Sequence, residues 1–459
     1  MSPFRKLLAL LLLPLAVACS DSNDNNGNRP AELRVTHASA DAPAVNVYVD
    51  GALALEGVDF KQSSGLLEFD PGTYSVEVRG ILPDGSEVSV IGPVDITLER
   101  RIRTDIIAFG DLFDAAGGLS IAPKVLDPVD IERNIDDVRV SVMHAAPAVG
   151  AVDIYVTEPG ADLASASPID AAFGDAAGPV SLEADTDYQV RITADGSTVP
   201  VFDSGTLSFA AGTEIVVIAV ENTYKVGGSP VTLLVAGAEG ASEVTDVAIT
   251  AAVRVVHNSA DTPPVDVLVD GAVALDAVPF TGASAYSDLE APSGTYNVVV
   301  AADADNSIAP IDIDVELEAP RSYTAIAIGS FADSSVEALL TEDERRNIAT
   351  AAIVEVIHGS YLVAAAIPVD VYLTTDGVIA DADPAISGLA YGESTGQIAL
   401  SPGDYWITVT AAGDKSVVAF DTGGTLALAG DTNYTIIARD PSAEEVTGSP
   451  LIEVILLTD

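Results

Sequence analysis

The chain has 459 residues, enough for roughly three or four domains of ~100–150 residues each. Its hydrophobic content of 48%, much of it Ala and Val with only 5% aromatics, predicts small aliphatic cores. Sixty-nine Asp and Glu against 20 Lys and Arg give a net charge of −49, which excludes a basic nucleic-acid footprint and adsorption to anionic lipid. The acids are scattered through turns and strand edges. They read as a solvated, self-repelling surface suited to a salty medium, with weak calcium binding at some acid clusters as the alternative.

The chain opens "MSPFRKLLALLLLPLAVACSDSNDNNGNRP". Arg5 and Lys6 form a basic segment, and Leu7 to Val17 an apolar one too short for a comfortable membrane span. Cys19, the only cysteine, follows small residues. This resembles a bacterial lipoprotein signal peptide, with Ala16 where the pattern usually has Leu. The resemblance implies cleavage after residue 18, lipid on Cys19, and, with Ser20 next, the outer membrane. Residues 19–30 read as a lipidated flexible tether. The membrane would then be reached through the N-terminal lipid only.

The rest repeats with a domain-sized period of roughly 105 residues. Four phrases carry the four histidines: "THASADAPAVNVYV" with His37, "MHAAPAVGAVDIYV" with His144, "VHNSADTPPVDVLV" with His257 and "IHGSYLVAAAIPVDVYL" with His358. A turn and alternating strand then recur as "DPGTYSVEV", "ADTDYQVRI", "PSGTYNVVV" and "SPGDYWITV". A later apolar strand recurs as "RTDIIAFG", "GTEIVVIAV", "RSYTAIAIG" and "TNYTIIARD". Repeats one and three share "NVYVDGALAL" and "DVLVDGAVAL"; two and four share "DAAFGDAAG" and "SGLAYGESTG". A two-domain unit duplicated in tandem explains this, with boundaries at 31–133, 134–248, 249–346 and 347–459 and junctions near Arg133 and Arg345.

Within each repeat, alternating β-branched runs, an Asp50-Gly51 hairpin signal and frequent turns predict strands. The expected fold is all-β: four tandem immunoglobulin-like or transthyretin-like β-sandwich domains after the signal peptide. The Gly-x-Tyr openings resemble a tyrosine corner. "RVTHASADAPAVNVYVDG" and "RVVHNSADTPPVDVLVDG" resemble the opening signature of the domain of unknown function (DUF) family 4397, and "PGTYSVEV" and "SYTAIAIG" fall where that family has later strands. Repeats two and four match with departures: "HAAPAVG" lacks the Ser and Asp, and "HGSYLVAAAIP" is three residues longer. The resemblance implies exported β-sandwich modules in bacterial surface or secreted proteins, and no known reaction.

Gly392-Glu393-Ser394-Thr395-Gly396 fits Gly-x-Ser-x-Gly, but the residues that follow read as strand, where a hydrolase elbow needs a helix. Asp303 and Asp305 lie in "ADADNS", which lacks the rest of a calcium loop and reads as a turn. Each histidine is followed by a polar residue in the next strand: Asn46, Asp153, Asp266 and Asp370. Either histidine and acids hold a cation, or the imidazole bonds that carboxylate or a turn carbonyl and pins the strand exit. Asn46 is a poor transition-metal ligand and repeat two lacks the Ser and Asp, so the structural role is preferred. No catalytic residue, metal ligand or cofactor is assigned.

The reading is a non-enzymatic, lipid-anchored cell-envelope protein, facing periplasm or cell surface. It would act as a scaffold or adhesion protein, its modules in a line reaching on the order of 140 Å. The alternative is a carbohydrate- or solute-binding lipoprotein, calcium-stabilised. It is disfavoured because Trp406 is the only tryptophan. The protein or glycan partner is not specified.

Overall fold

The computed structural model describes residues 30–131, 136–290, 293–364, 368–442 and 451–459. Cys19 and Arg133 lie outside them. Repeat one contains β1 (Ala31–Ala38), β2 (Val45–Val49), β3 (Ala52–Val58), β4 (Leu67–Phe69), β5 (Gly72–Ile81), β6 (Glu87–Leu98), β7 (Ile102–Phe109) and β8 (Ala122–Val125). They form two facing sheets, in the orders β4-β1-β7-β8 and β3-β2-β5-β6. β1 runs parallel to β7, from Glu32 opposite Arg103 to Ala38 opposite Phe109. Asp50 and Gly51, with φ of 50° and 77°, make the β2–β3 turn. The plan recurs: Val138–His144, Ala252–His257 and Ala352–His358 each run parallel to a later strand of their own repeat. The class is all-β; among the described residues helix is limited to Leu163–Ser165 and Tyr361–Ala364.

Alternation along β1 and β7 explains the sandwich interior. Leu33, Val35, Ile106 and Ala108 point inward against Val45, Val47, Val76 and Val78. The other face of the same sheet is buried too. Ala38, Phe60 and Ile107 meet Met143, Ile218, Leu234 and Ala236 of repeat two. Val256, Ile326 and Ile328 of repeat three likewise meet Ile357 and Ile437 of repeat four. Each histidine-bearing sheet is therefore covered on both sides, once by its own sandwich and once by the neighbouring repeat. Full burial of one such isoleucine contributes roughly 1.5–3 kcal/mol.

Arg34, Arg103 and Arg254 inside these seams are paired with acids. Arg34 donates from Nε to Asp105 at 2.5 Å and from Nη1 to the Ala236 carbonyl across the seam at 2.6 Å. Arg103 joins Glu32 at 2.8 Å and also Glu214 of repeat two. In the second pair Arg254 reaches Asp459 at 2.9 Å and Thr435 at 3.2 Å.

The expected line of modules is corrected by this packing. The junction before repeat four lies against the first pair. Arg346 donates to the Ala40 and Ala42 carbonyls and to Asp59, at 2.7, 2.5 and 2.7 Å. Arg345 donates to the Lys225 carbonyl at 2.9 Å and stacks on Tyr286, 4.1 Å from the ring centroid. A line would leave the apolar outer faces of the histidine-bearing sheets in water, and pairing removes them.

Candidate functional site

The repeated histidine phrase is the one chemistry-bearing motif that all four repeats share. His37 lies at the inner end of β1, buried, just before the chain crosses from one sheet to the other. Its Nε2–H donates to the Pro43 carbonyl at 3.1 Å, and Nδ1 receives the Ser39 amide at 3.4 Å. Those partners fix a neutral imidazole with the proton on Nε2, because a carbonyl only accepts and an amide N–H only donates. His144 repeats the pair with Gly150 and Ala146, and His257 with Pro263 and Ser259. In repeat four the matching carbonyl position is 367, outside the described residues, and His358 has no side-chain hydrogen bond among the described ones. Burial holds the His37 imidazole down at about 4 and lowers those of His257 and His358.

An aromatic ring that the sequence reading did not connect to the histidine completes the unit. Phe60, Phe173, Phe280 and Tyr391 stand edge-on to His37, His144, His257 and His358, with centroids 6.1–6.4 Å apart. The residue after each ring is left-handed: Lys61, Gly174, Thr281 and Gly392, with φ of 65°, 83°, 67° and 74°. That bend lets the next two backbone groups grip the histidine. The Lys61 amide donates to the His37 carbonyl and the His37 amide to the Gln62 carbonyl, both at 2.9 Å, and the other three repeats do the same. The shared "AAFG" and "LAYG" stretches carried the signal.

The acid four residues after the histidine has a structural task as well. Asp41 accepts the Leu112 amide at 2.8 Å, and Asp261 accepts the Phe331 amide at 2.8 Å. In the even repeats, acid and amide change places. Glu221 accepts the Ala148 amide at 3.1 Å, and Asp440 accepts the Leu362 amide at 3.0 Å. Glu221 and Asp440 occupy the position of Gly110 and Gly329, which is why "HAAPAVG" can lack its Asp.

Asn46, Asp153, Asp266 and Asp370 do not pair with the histidines. They stand on the second strand of each repeat, in the opposite sheet. Asn46 accepts the Gly57 amide at 2.8 Å and donates to Glu87 at 2.6 Å. Asp370 accepts the Gly388 and Gly413 amides, both at 2.8 Å. Asp266 accepts the Ala277 amide at 2.9 Å, and Asp153 the Gly196 amide at 3.0 Å. Gly57, Ala277 and Gly388 have φ of 64°, 52° and 67°, so in these three repeats the side chain holds a bulged neighbouring strand.

Two of these positions gather further acids. Carboxylate oxygens of Asp266, Asp276 and Asp303 lie within 4.8 Å of one another. In repeat two Asp153 stands directly opposite Asp170, and Asp195 is near enough to act on it. Asp303, read from the sequence as a turn residue, thus belongs to a carboxylate group, while Asp305 caps its own turn through Ser307.

The remaining motifs are accounted for by local bonds. Ser394 donates to Glu355, whose carboxyl burial pushes up to about 7, and accepts the Gly396 amide at 2.9 Å; a strand follows. Trp406 donates to Asp421 at 2.8 Å, with Gly377 close against its ring. Tyr74 and Tyr405 donate to the carbonyls of Asp70 and Ser401, four residues back, at 2.7 Å.

A carbohydrate-binding module of family CBM26 from Eubacterium rectale Amy13K, solved with maltoheptaose, is similar over 41% of this chain and 91% of its own. The identity is 13% and the TM-score 0.13, a likeness that carries no argument. No curated protein matches the chain. The family model described as "Domain of unknown function (DUF4397)" matches residues 31–155, 138–250 and 251–372. Those three matches take in the histidine phrases, the edge-on rings of the first three repeats and the strands between them, and the chain belongs to the DUF4397 family.

Proposed function

We propose that this chain is a lipid-anchored cell-envelope protein, held in the outer membrane through Cys19, whose four β-sandwich units form a non-enzymatic scaffold for adhesion or display. The observation that carries the reading is the back-to-back burial of the histidine-bearing sheets. It joins the repeats into rigid pairs and leaves the opposite sheets and the loops as the working surface. The repeated polar residues support the same reading, because His37, His144 and His257, and Asp41 and Asp261 in the odd repeats, are engaged with backbone groups of their own fold. A sugar platform is less favoured, since Trp406 is tied to Asp421.

The test has two parts. Cys19→Ser should move the protein from the membrane fraction to the soluble envelope fraction; unchanged membrane association refutes the anchor. The lipid-free chain should then bind a matrix protein or surface polymer without altering it. Turnover of any such ligand by the purified chain would refute the non-enzymatic reading.

A further inference from the structure

We propose that repeat four takes up a ligand by an apolar hydrocarbon group, a small ring or the end of an alkyl chain, held between the two sheets of its sandwich. A cavity of about 130 Å³ lies there. Val354, Ile436 and Val454 line it from one sheet, and Val371, Val409 and Phe420 from the other. Thr422 is the one polar side chain in the lining, and its hydroxyl is already engaged. It donates to the Gly424 carbonyl at 2.6 Å and accepts the Ile407 amide at 3.2 Å. A water held inside needs about two to four polar partners, which these side chains do not offer, so the space suits an apolar guest. A dry apolar cavity of roughly 150 Å³ admits benzene or xenon, and the volume here is of that order.

Repeat two supplies the internal comparison. The same place in its sandwich, lined by Ile154, Ile192, Val217 and Phe209, leaves only about 30 Å³. Single-carbon differences between the two linings run in both directions: Ile154 and Ile192 become Val371 and Val409, while Val190 and Val217 become Ile407 and Ile436. The uncompensated change is Phe209. The matching stretch "FDTGGTLALAGDT" has Leu428 there, so one wall lacks a ring. Unfilled apolar volume destabilises a core because the lining loses its contacts, and a guest restores them. The cavity also has a way in. Ile386–Leu389 and Ser394–Leu400 are edge strands of the two sheets, and they lie side by side. Ile386, Ile398 and Leu400 line the cavity from these edges and are only half-buried. Ala385, also in the lining, is exposed, so the cavity reaches the surface between the two edges.

The proposal concerns the interior of one repeat, is independent of the anchor and scaffold reading, and is tested separately. The lipid-free full chain is titrated with toluene and with octanoate, by calorimetry and by thermal melting. Saturable binding of a single molecule per chain and a raised melting temperature are expected. Octanoate that binds and competes with toluene marks the end of an alkyl chain as the group taken up; toluene binding alone marks a small ring. Leu428→Phe combined with Val409→Ile installs the residues of repeat two, where both side chains are accommodated at the matching positions. The filled variant should bind roughly tenfold more weakly or worse, and should melt higher than the unaltered chain in the absence of probe. Val371→Ile, one methyl group larger, should act in the same direction to a smaller degree. Absence of saturable binding of either probe to the unaltered chain overturns the proposal, as does equal affinity in a filled variant that still melts cooperatively.

Discussion

His37 stands edge-on to Phe60, with centroids 6.4 Å apart and ring planes at 73°, and this pairing keeps the imidazole dry and neutral. Its Nδ1 already faces an amide N–H, so a second proton there would meet a donor. The folded group sits near 4 against an ordinary 6.5, so between those pH values the unfolded chain binds more protons than the folded one. Stability therefore falls as pH drops from 6.5 to 4, by about 3 kcal/mol at most from this residue, and this contribution changes no further below 4. His257 and His358, also lowered by burial, act in the same direction. Chemical denaturation of wild type and His37→Gln from pH 7 to 4 should show the gap between them shrinking; parallel curves would refute the argument.

Thr281 occupies a left-handed position that Gly174 and Gly392 fill in the even repeats. A β-branched residue there costs roughly 1–2 kcal/mol, while glycine loses roughly 0.5–1 kcal/mol more chain entropy on folding. Thr281→Gly should thus stabilise the protein by up to about 1 kcal/mol, and Gly392→Thr should destabilise it. Urea midpoints of the two variants check both signs.

Asp440 takes the Ser360 hydroxyl at 2.5 Å and the Leu362 amide at 3.0 Å in a buried setting. Asp440→Ala leaves both donors unsatisfied and should cost about 2–3 kcal/mol. Asp440→Asn, which keeps an acceptor, should cost less. Equal losses in thermal melting would show that the hydrogen bonds do not matter.

Arg346 links the second pair of repeats to the first through Ala40, Ala42 and Asp59. Small-angle scattering of the lipid-free chain should give a radius of gyration on the order of 25 Å, near the value for a compact chain of this length. Arg346→Ala should enlarge it and expose the junction to proteases. A wild-type profile of a rod on the order of 140 Å long would refute the packed arrangement.

Strand-rich repeats, the Asp50-Gly51 hairpin and the crossover histidine were legible because each leaves a local mark: period-two alternation, a left-handed turn pair, a recurring phrase. The partner of the histidine was not. Asn46 and its counterparts lie nine or twelve residues away in sequence but in the opposite sheet, whereas Phe60 and its counterparts, more distant in sequence, lie against the ring. The exchange of acid and amide between Asp41 with Leu112 and Asp440 with Leu362 was invisible for the same reason, since neither half is a motif alone.

By itself the sequence determined the all-β class, the four-fold repetition and its odd–even grouping, because alternation and turn chemistry act over a few residues and recur in kind. Only the tertiary structure decided how the repeats meet. Ala38 and Ile107 alternate with core residues just as solvent-facing residues would, and what buries them is Ile218 and Leu234 of another repeat. The same holds for the carboxylate cluster. Asp266, Asp276 and Asp303 are unremarkable acids along the chain, and only the fold brings their carboxylate oxygens within 4.8 Å of one another.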